Sequence, residues 1–130
     1  MKLQEKQMWA TVQPQIQDAE KKISASLGAA VQLVINEDSF PSKDLIARIP
    51  DAALTFLQKG FEDFCADGIA KEAAQSTVKS IGIRQESVDG FKIDLKDNKL
   101  EVTANFAAGG TCGLQYPHQN DYTKFLSENL

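Results

Sequence analysis

Two cysteines and one histidine in 130 residues are too few to build a four-ligand Cys/His zinc module, and they limit disulfides to one bridge. Long apolar runs are missing too. None approaches the ~20 residues that a bilayer-crossing helix requires, so no membrane association is expected. Basic residues are outnumbered: fourteen Lys and Arg stand against eighteen Asp and Glu, a net charge of −4. Grip on a nucleic-acid backbone needs a stripe of Lys and Arg. The dense basic spots here are Lys21–Lys22 and the set Lys92, Lys96 and Lys99, which alternates with Asp94, Asp97 and Glu101. Nucleic acid is therefore not an expected partner. Neither G-x-x-x-x-G-K-[ST], G-x-S-x-G, H-E-x-x-H nor the D-x-D-x-D-G calcium spacing occurs, so no cofactor and no metal are expected. Met1–Lys6 shows no apolar signal region, which points to a cytoplasmic protein with Cys65 and Cys112 as free thiols.

Against these absences stands an ordinary supply of core residues. Apolar side chains make up 42% of the chain, with seven Phe and one Trp, enough to offset the entropy of ordering. The length suits one domain over 1–130. The first periodic signal is Trp9, Val12, Ile16, Ala19, Ile23 and Leu27, one face of a long helix. Pro14 interrupts it on paper: either Thr11 caps a helix with Pro14 in its first turn, or an earlier turn meets it at a kink. Gly28 suits the left-handed position past its end. Trp9, Ile16 and Ile23 are also seven apart, a short coiled-coil seam that offers a dimer contact. Packing of that face on the protein's own sheet is the preferred expectation.

Val31, Leu33 and Ile35 alternate as a strand does. Turn residues Glu37 to Pro41 follow, and Ser42 can cap a helix over Lys43 to Ile49. Pro50 suits the first turn of the next helix, which carries Leu54, Leu57, Phe61, Phe64 and Cys65. Gly60 should weaken that helix by about 1 kcal/mol relative to Ala. Asp67–Gly68 closes it before a further helix through Ile69, Ala73, Ala74 and Thr77. Phe91, Ile93 and Leu95 alternate with charged residues, as do Leu100, Val102, Ala104 and Phe106 with polar ones. Asp97–Asn98 between them tolerates the positive φ of a two-residue hairpin turn. The register pairs Leu95 with Leu100, Ile93 with Val102 and Phe91 with Ala104. A three-residue loop, Val88–Asp89–Gly90, would then set Ile83 against Leu95. The expected fold is a two-layer α+β domain. It is an antiparallel β-meander of about four to five strands, one face covered by the long N-terminal helix and the central helices.

The stretch from Ala107 to Asp121 gathers three Gly, Cys112, Tyr116 and the lone His118. As chemistry it reads as a nucleophile, with His118 drawing the proton from Cys112 and Asn120 or Asp121 orienting the imidazole. As architecture, Cys112, Leu114 and Tyr116 form a last strand that Pro117 stops. Asn120 or Asp121 then caps a terminal helix with Tyr122, Phe125, Leu126 and Leu130. The architectural reading is preferred, so no catalytic residue is favoured. A third option is a ligand pocket lined by Trp9, Leu57, Phe61 and Phe91 between helices and sheet.

The expected function is a non-catalytic protein-binding module. Its model is the immunity protein, which blocks a bacterial toxin by covering its active site, an analogy of size and charge. The partner should be a basic protein, met by Glu37, Asp38, Glu62, Asp63 and Asp67. A small hydrolase or transferase using Cys112, His118 and Asp121, and a small-ligand-binding domain, are the alternatives.

Overall fold

The computed structural model describes residues 1–107 and 116–130. Helix α1 runs from Leu3 to Leu27 and buries Trp9, Val12, Ile16, Ala19, Ile23 and Leu27, the stripe read from the sequence. The helix continues through Pro14 without using Thr11 as a cap; the Thr11 hydroxyl donates instead to the Gln7 carbonyl. Proline is tolerated because Ala10, whose carbonyl loses its partner, lies on the exposed side where water can replace it. Gly28 ends the helix at φ 75°, its N–H on the Ser24 carbonyl.

Strand β1 (Gln32–Ile35) follows, then a 3₁₀ turn over Glu37–Ser39. Helix α2 (Lys43–Ala47) has the expected Ser42 cap, whose hydroxyl accepts from the Leu45 N–H at 3.3 Å. A π-helical turn spans Ile49–Leu54, with Pro50 near its start, and leads into α3 (Thr55–Phe64). Asp67 caps α4 (Gly68–Thr77) by accepting from the Ala70 N–H at 3.0 Å. Strands β2 (Ser80–Gln85), β3 (Phe91–Lys96) and β4 (Lys99–Ala104) come next, and α5 (Gln119–Asn129) is last.

The strands form one mixed sheet in the order β1-β2-β4-β3. The β3–β4 hairpin has the register read from the alternation: Phe91 faces Ala104, Ile93 faces Val102 and Leu95 faces Leu100. Asp97 and Asn98 sit at φ 53° and 64° in its turn. The antiparallel meander is wrong, however. Strand β2 runs parallel to both β1 and β4, and Ile83 lies beside Val102, not Leu95. Residues 86–90 do not close a tight hairpin; they carry the chain across the end of β4. Five residues reach about 17 Å when extended, ample for two strand spacings of about 4.8 Å each. The exchange places β4, with Leu100, Val102 and Ala104 all fully buried, between two neighbours. The strand carrying Lys92, Asp94 and Lys96 goes to the edge, where charge is tolerated.

One face of the sheet is buried and the other is polar. Ile81, Ile83, Leu100, Val102 and Ala104 point into a single cluster with the helices, while Arg84, Lys92, Asp94, Lys96 and Lys99 are exposed. The α+β expectation therefore stands. The heptad seam is not free for a second chain: Trp9, Ile16 and Ile23 are 7%, 6% and 0% exposed, spent on the protein's own core. Helix α1 also closes the outer edge of β1. The Ser24 hydroxyl accepts from the Val31 N–H at 3.1 Å, and the Glu20 carboxylate accepts from the Leu33 N–H at 2.8 Å. At the other end of the sheet, buried Gln85 ties β2 to the exit of β4. Its amide donates to Asn105 at 3.0 Å and its carbonyl accepts from the Phe106 N–H at 2.7 Å.

Candidate functional site

Two regions carry groups that chemistry or recognition would use. The first surrounds the start of α5. His118, not Asn120 or Asp121, is the N-cap residue there. Asp121 sits three positions on and reaches back, its carboxylate accepting from the His118 main-chain N–H at 2.8 Å, while its own N–H donates to the His118 carbonyl. This is the carboxylate half of a capping box, and it places negative charge at the positive end of the helix dipole. The Asp121 carboxylate thus engages the backbone of His118, where the catalytic reading wanted it on the imidazole. Asn120 is exposed, and its carbonyl accepts from the Thr123 hydroxyl. The imidazole packs over the Phe56 ring with centroids 4.2 Å apart and meets Tyr116 edge-on at 5.3 Å. Tyr116 in turn reaches Phe106, and Phe106 stacks on Phe40, which Trp9 meets edge-on. The His118 ring is the outer end of an aromatic row. Cys112, and with it the expected last strand, lies outside the described residues.

The other thiol belongs to the core. Cys65 is buried at the end of α3, and burial raises its pKa above the ordinary thiol range, an effect that the nearby Lys71 ammonium only partly offsets. Among the described residues no three His, Cys, Asp or Glu side chains cluster as a metal site. The chain matches no family model, no curated protein and no solved structure.

The second region is acidic. Glu62 and Asp63 lie exposed on the last turn of α3, and Asp67 is exposed at the corner where α4 begins. The Asp63 carboxylate accepts from the Gln119 side chain. Glu37 and Asp38 are also exposed, but in the 3₁₀ turn after β1. Glu37 borders a groove with Trp9 and Gln13, whereas Lys71, one turn into α4 from Asp67, lies against Gly28. Along α1 that separation is about 28 Å at 1.5 Å per residue. The five acids thus form two groups near opposite ends of α1. Among the described residues none of the five makes a salt bridge; the ion pairs formed there are Lys22–Asp18, Lys92–Asp94 and Lys99–Glu101.

Among the described residues, Trp9, Leu57, Phe61 and Phe91 do not line one common pocket. Leu57 and Phe61 are fully buried and Trp9 nearly so, all within the common core. Phe91 is half-buried and lines a separate groove of about 250 Å³ with Ile93 and Phe125. Another concavity, about 420 Å³, is an open groove between α1 and the Pro50–Gln58 segment, lined by Asp18, Lys22 and Asp51 among others. Three side chains that organise this framework escaped sequence reading. Arg48 donates from Nε to the Phe106 carbonyl at 2.5 Å, Gln85 closes the sheet end, and Glu20 caps the β1 edge. Gln85 continues the alternation Ile81, Ile83, and Glu20 with Ser24 continues the i, i+4 row from Ile16. Those two spacings were the available signals; for Arg48 there was none.

Proposed function

We propose that this protein is a non-catalytic binding module that recognises a basic protein and neutralises it by direct contact, in the manner of an immunity protein bound to its toxin. The supporting observation is the acidic corner between α3 and α4. Carboxylates in a helix's last turn face the negative end of its dipole, each at a cost of about 0.3–1 kcal/mol. Glu62 and Asp63 occupy that position, with no basic residue in the turn to compensate. A sequence that accepts this local penalty beside exposed Asp67 presents negative charge outward, where a basic partner gains from it. Glu37 and Asp38 supply a second acidic contact for a partner large enough to reach both.

Pull-down from a native extract tests this reading. The expected result is a stoichiometric basic protein that elutes with rising salt. It should be retained by a Cys112→Ser variant and lost by the double variant Glu62→Lys, Asp63→Lys. Recovery of the bait alone, or capture indifferent to the charge reversal, overturns the reading.

A further inference from the structure

The two edges of the sheet are treated differently. The outward N–H groups of Val31, just before β1, and of Leu33 within it are taken by Ser24 and Glu20. Among the described residues no side chain takes the outward main-chain groups of strand β3 in this way, and β4 is its only strand neighbour. Hydrogen-bond parity fixes which of its groups face outward. The Ala104 and Asn98 carbonyls accept from Glu86 and Lys79, so even-numbered residues of β4 point their main-chain groups toward β2. Odd-numbered residues Lys99, Glu101 and Thr103 therefore face β3, where their partners are Lys96, Asp94 and Lys92. That leaves the N–H and C=O groups of Phe91, Ile93 and Leu95 directed at the open edge.

We infer that this edge pairs with the same edge of a second copy of the chain, antiparallel, with Ile93 against the partner's Ile93 on a two-fold axis. In that register Phe91 meets the partner's Leu95, and both pairings join residues whose main-chain groups face out. Lys92 falls opposite the partner's Asp94 and Asp94 opposite the partner's Lys92. These are non-hydrogen-bonded positions, where Cα atoms approach to about 4.5 Å and side chains interact most strongly.

The alternatives are worse on the same grounds. Moving by one residue sets outward main-chain groups against inward ones and forfeits the ladder. Centring the axis on Lys92 or on Asp94 places like charges directly opposite each other. Centring it on Leu95 restores opposite charges but leaves only Asp94 to Lys96 overlapping. The apolar side of the strand agrees. Phe91 and Ile93 are half-buried and border the 250 Å³ groove with Phe125, whose rim carries Lys124 and Glu128. Within one chain the Lys92 ammonium rests on Asp94 at 3.2 Å, so the pair exchanges partners on association without stranding a charge.

Sedimentation velocity of the full chain across a concentration series decides the matter. The wild type should pass from monomer to dimer. Asp94→Lys sets Lys opposite Lys92 twice over and should weaken the dimer at least about tenfold. Lys92→Asp should do the same with the opposite sign. An equal mixture of the two variants should associate as a heterodimer, and the double swap Lys92→Asp, Asp94→Lys should restore the homodimer. Both positions are exposed, and unchanged circular dichroism confirms folding. A wild type that stays monomeric to about 1 mM overturns the inference. So does a dimer indifferent to either single swap, or a mixture that fails to associate.

Discussion

At Gly60, helix propensity and packing pull in opposite directions. Alanine in the middle of α3 gains about 1 kcal/mol over glycine in propensity. The added Cβ would stand 2.7 Å from the Tyr122 Cβ, an approach that forces α5 away from α3. Overpacking of this kind costs about 1–3 kcal/mol. Gly60→Ala should therefore lower the urea midpoint, and a rise would show that α5 moves freely. Tyr122 itself is fully buried, and its hydroxyl has no hydrogen-bond partner among the described residues. Because folding strips that hydroxyl of water, Tyr122→Phe should leave stability unchanged or raise it by up to about 1–3 kcal/mol. Burial, with a smaller push from the Asp121 carboxylate, holds the phenol protonated well above its ordinary range. The sign follows: above pH ~10 the unfolded phenol ionises and the folded one does not, so stability falls with rising pH, by at most about 1.4 kcal/mol per unit. Urea titrations from pH 8 to about 11 should show this slope in the wild type and a flatter one in Tyr122→Phe.

Among the elements, α1 does more than bury its apolar stripe. The side chains of Glu20 and Ser24 stand in for a missing strand beside β1. Glu20→Ala leaves the N–H of Leu33, a residue only 7% exposed, without an acceptor. A loss of about 1–3 kcal/mol is expected, together with faster exchange of the Leu33 amide. Unchanged exchange would mean that water replaces the carboxylate. The hairpin was the most legible element, because its alternation, turn residues and pair register depend on neighbours in sequence. The helix stripes of α1 and α3 were legible for the same reason. The role of Gly60 was not: propensity describes an isolated helix, and Tyr122 arrives from 62 residues further along the chain.

At the scale of the whole molecule, a net charge of −4 and two exposed acidic groups make a prediction about association kinetics. Raising salt from about 50 to 500 mM should slow the on-rate for a basic partner more than it changes the off-rate. Surface-based kinetics would read this directly, and a salt effect confined to the off-rate would place the contact elsewhere. The β3 dimer should respond less to salt, since main-chain hydrogen bonds and the Ile93, Phe91 and Leu95 contacts carry part of it. The exposure of the five acids was legible in the sequence, because turns and helix flanks lie outside the apolar periodicity. Their separation into two groups was not, since it depends on how α4 and the 3₁₀ turn are arranged along α1.

Sequence alone determined the elements that local rules govern: the periods of α1 and β4, the Ser42 cap, the Asp97–Asn98 turn, and the one-sided burial of the sheet. Tertiary structure decided what depends on distant partners. It set the order of strands, the insertion of β4 between β2 and β3, the use of Glu20 and Gln85 as main-chain acceptors, and the engagement of Asp121 with the His118 backbone. Alternation shows which face of a strand is buried but not which strand lies beside it. Neighbours are selected by the total burial and hydrogen bonding that the assembled layers achieve, a sum over residues that no local window contains.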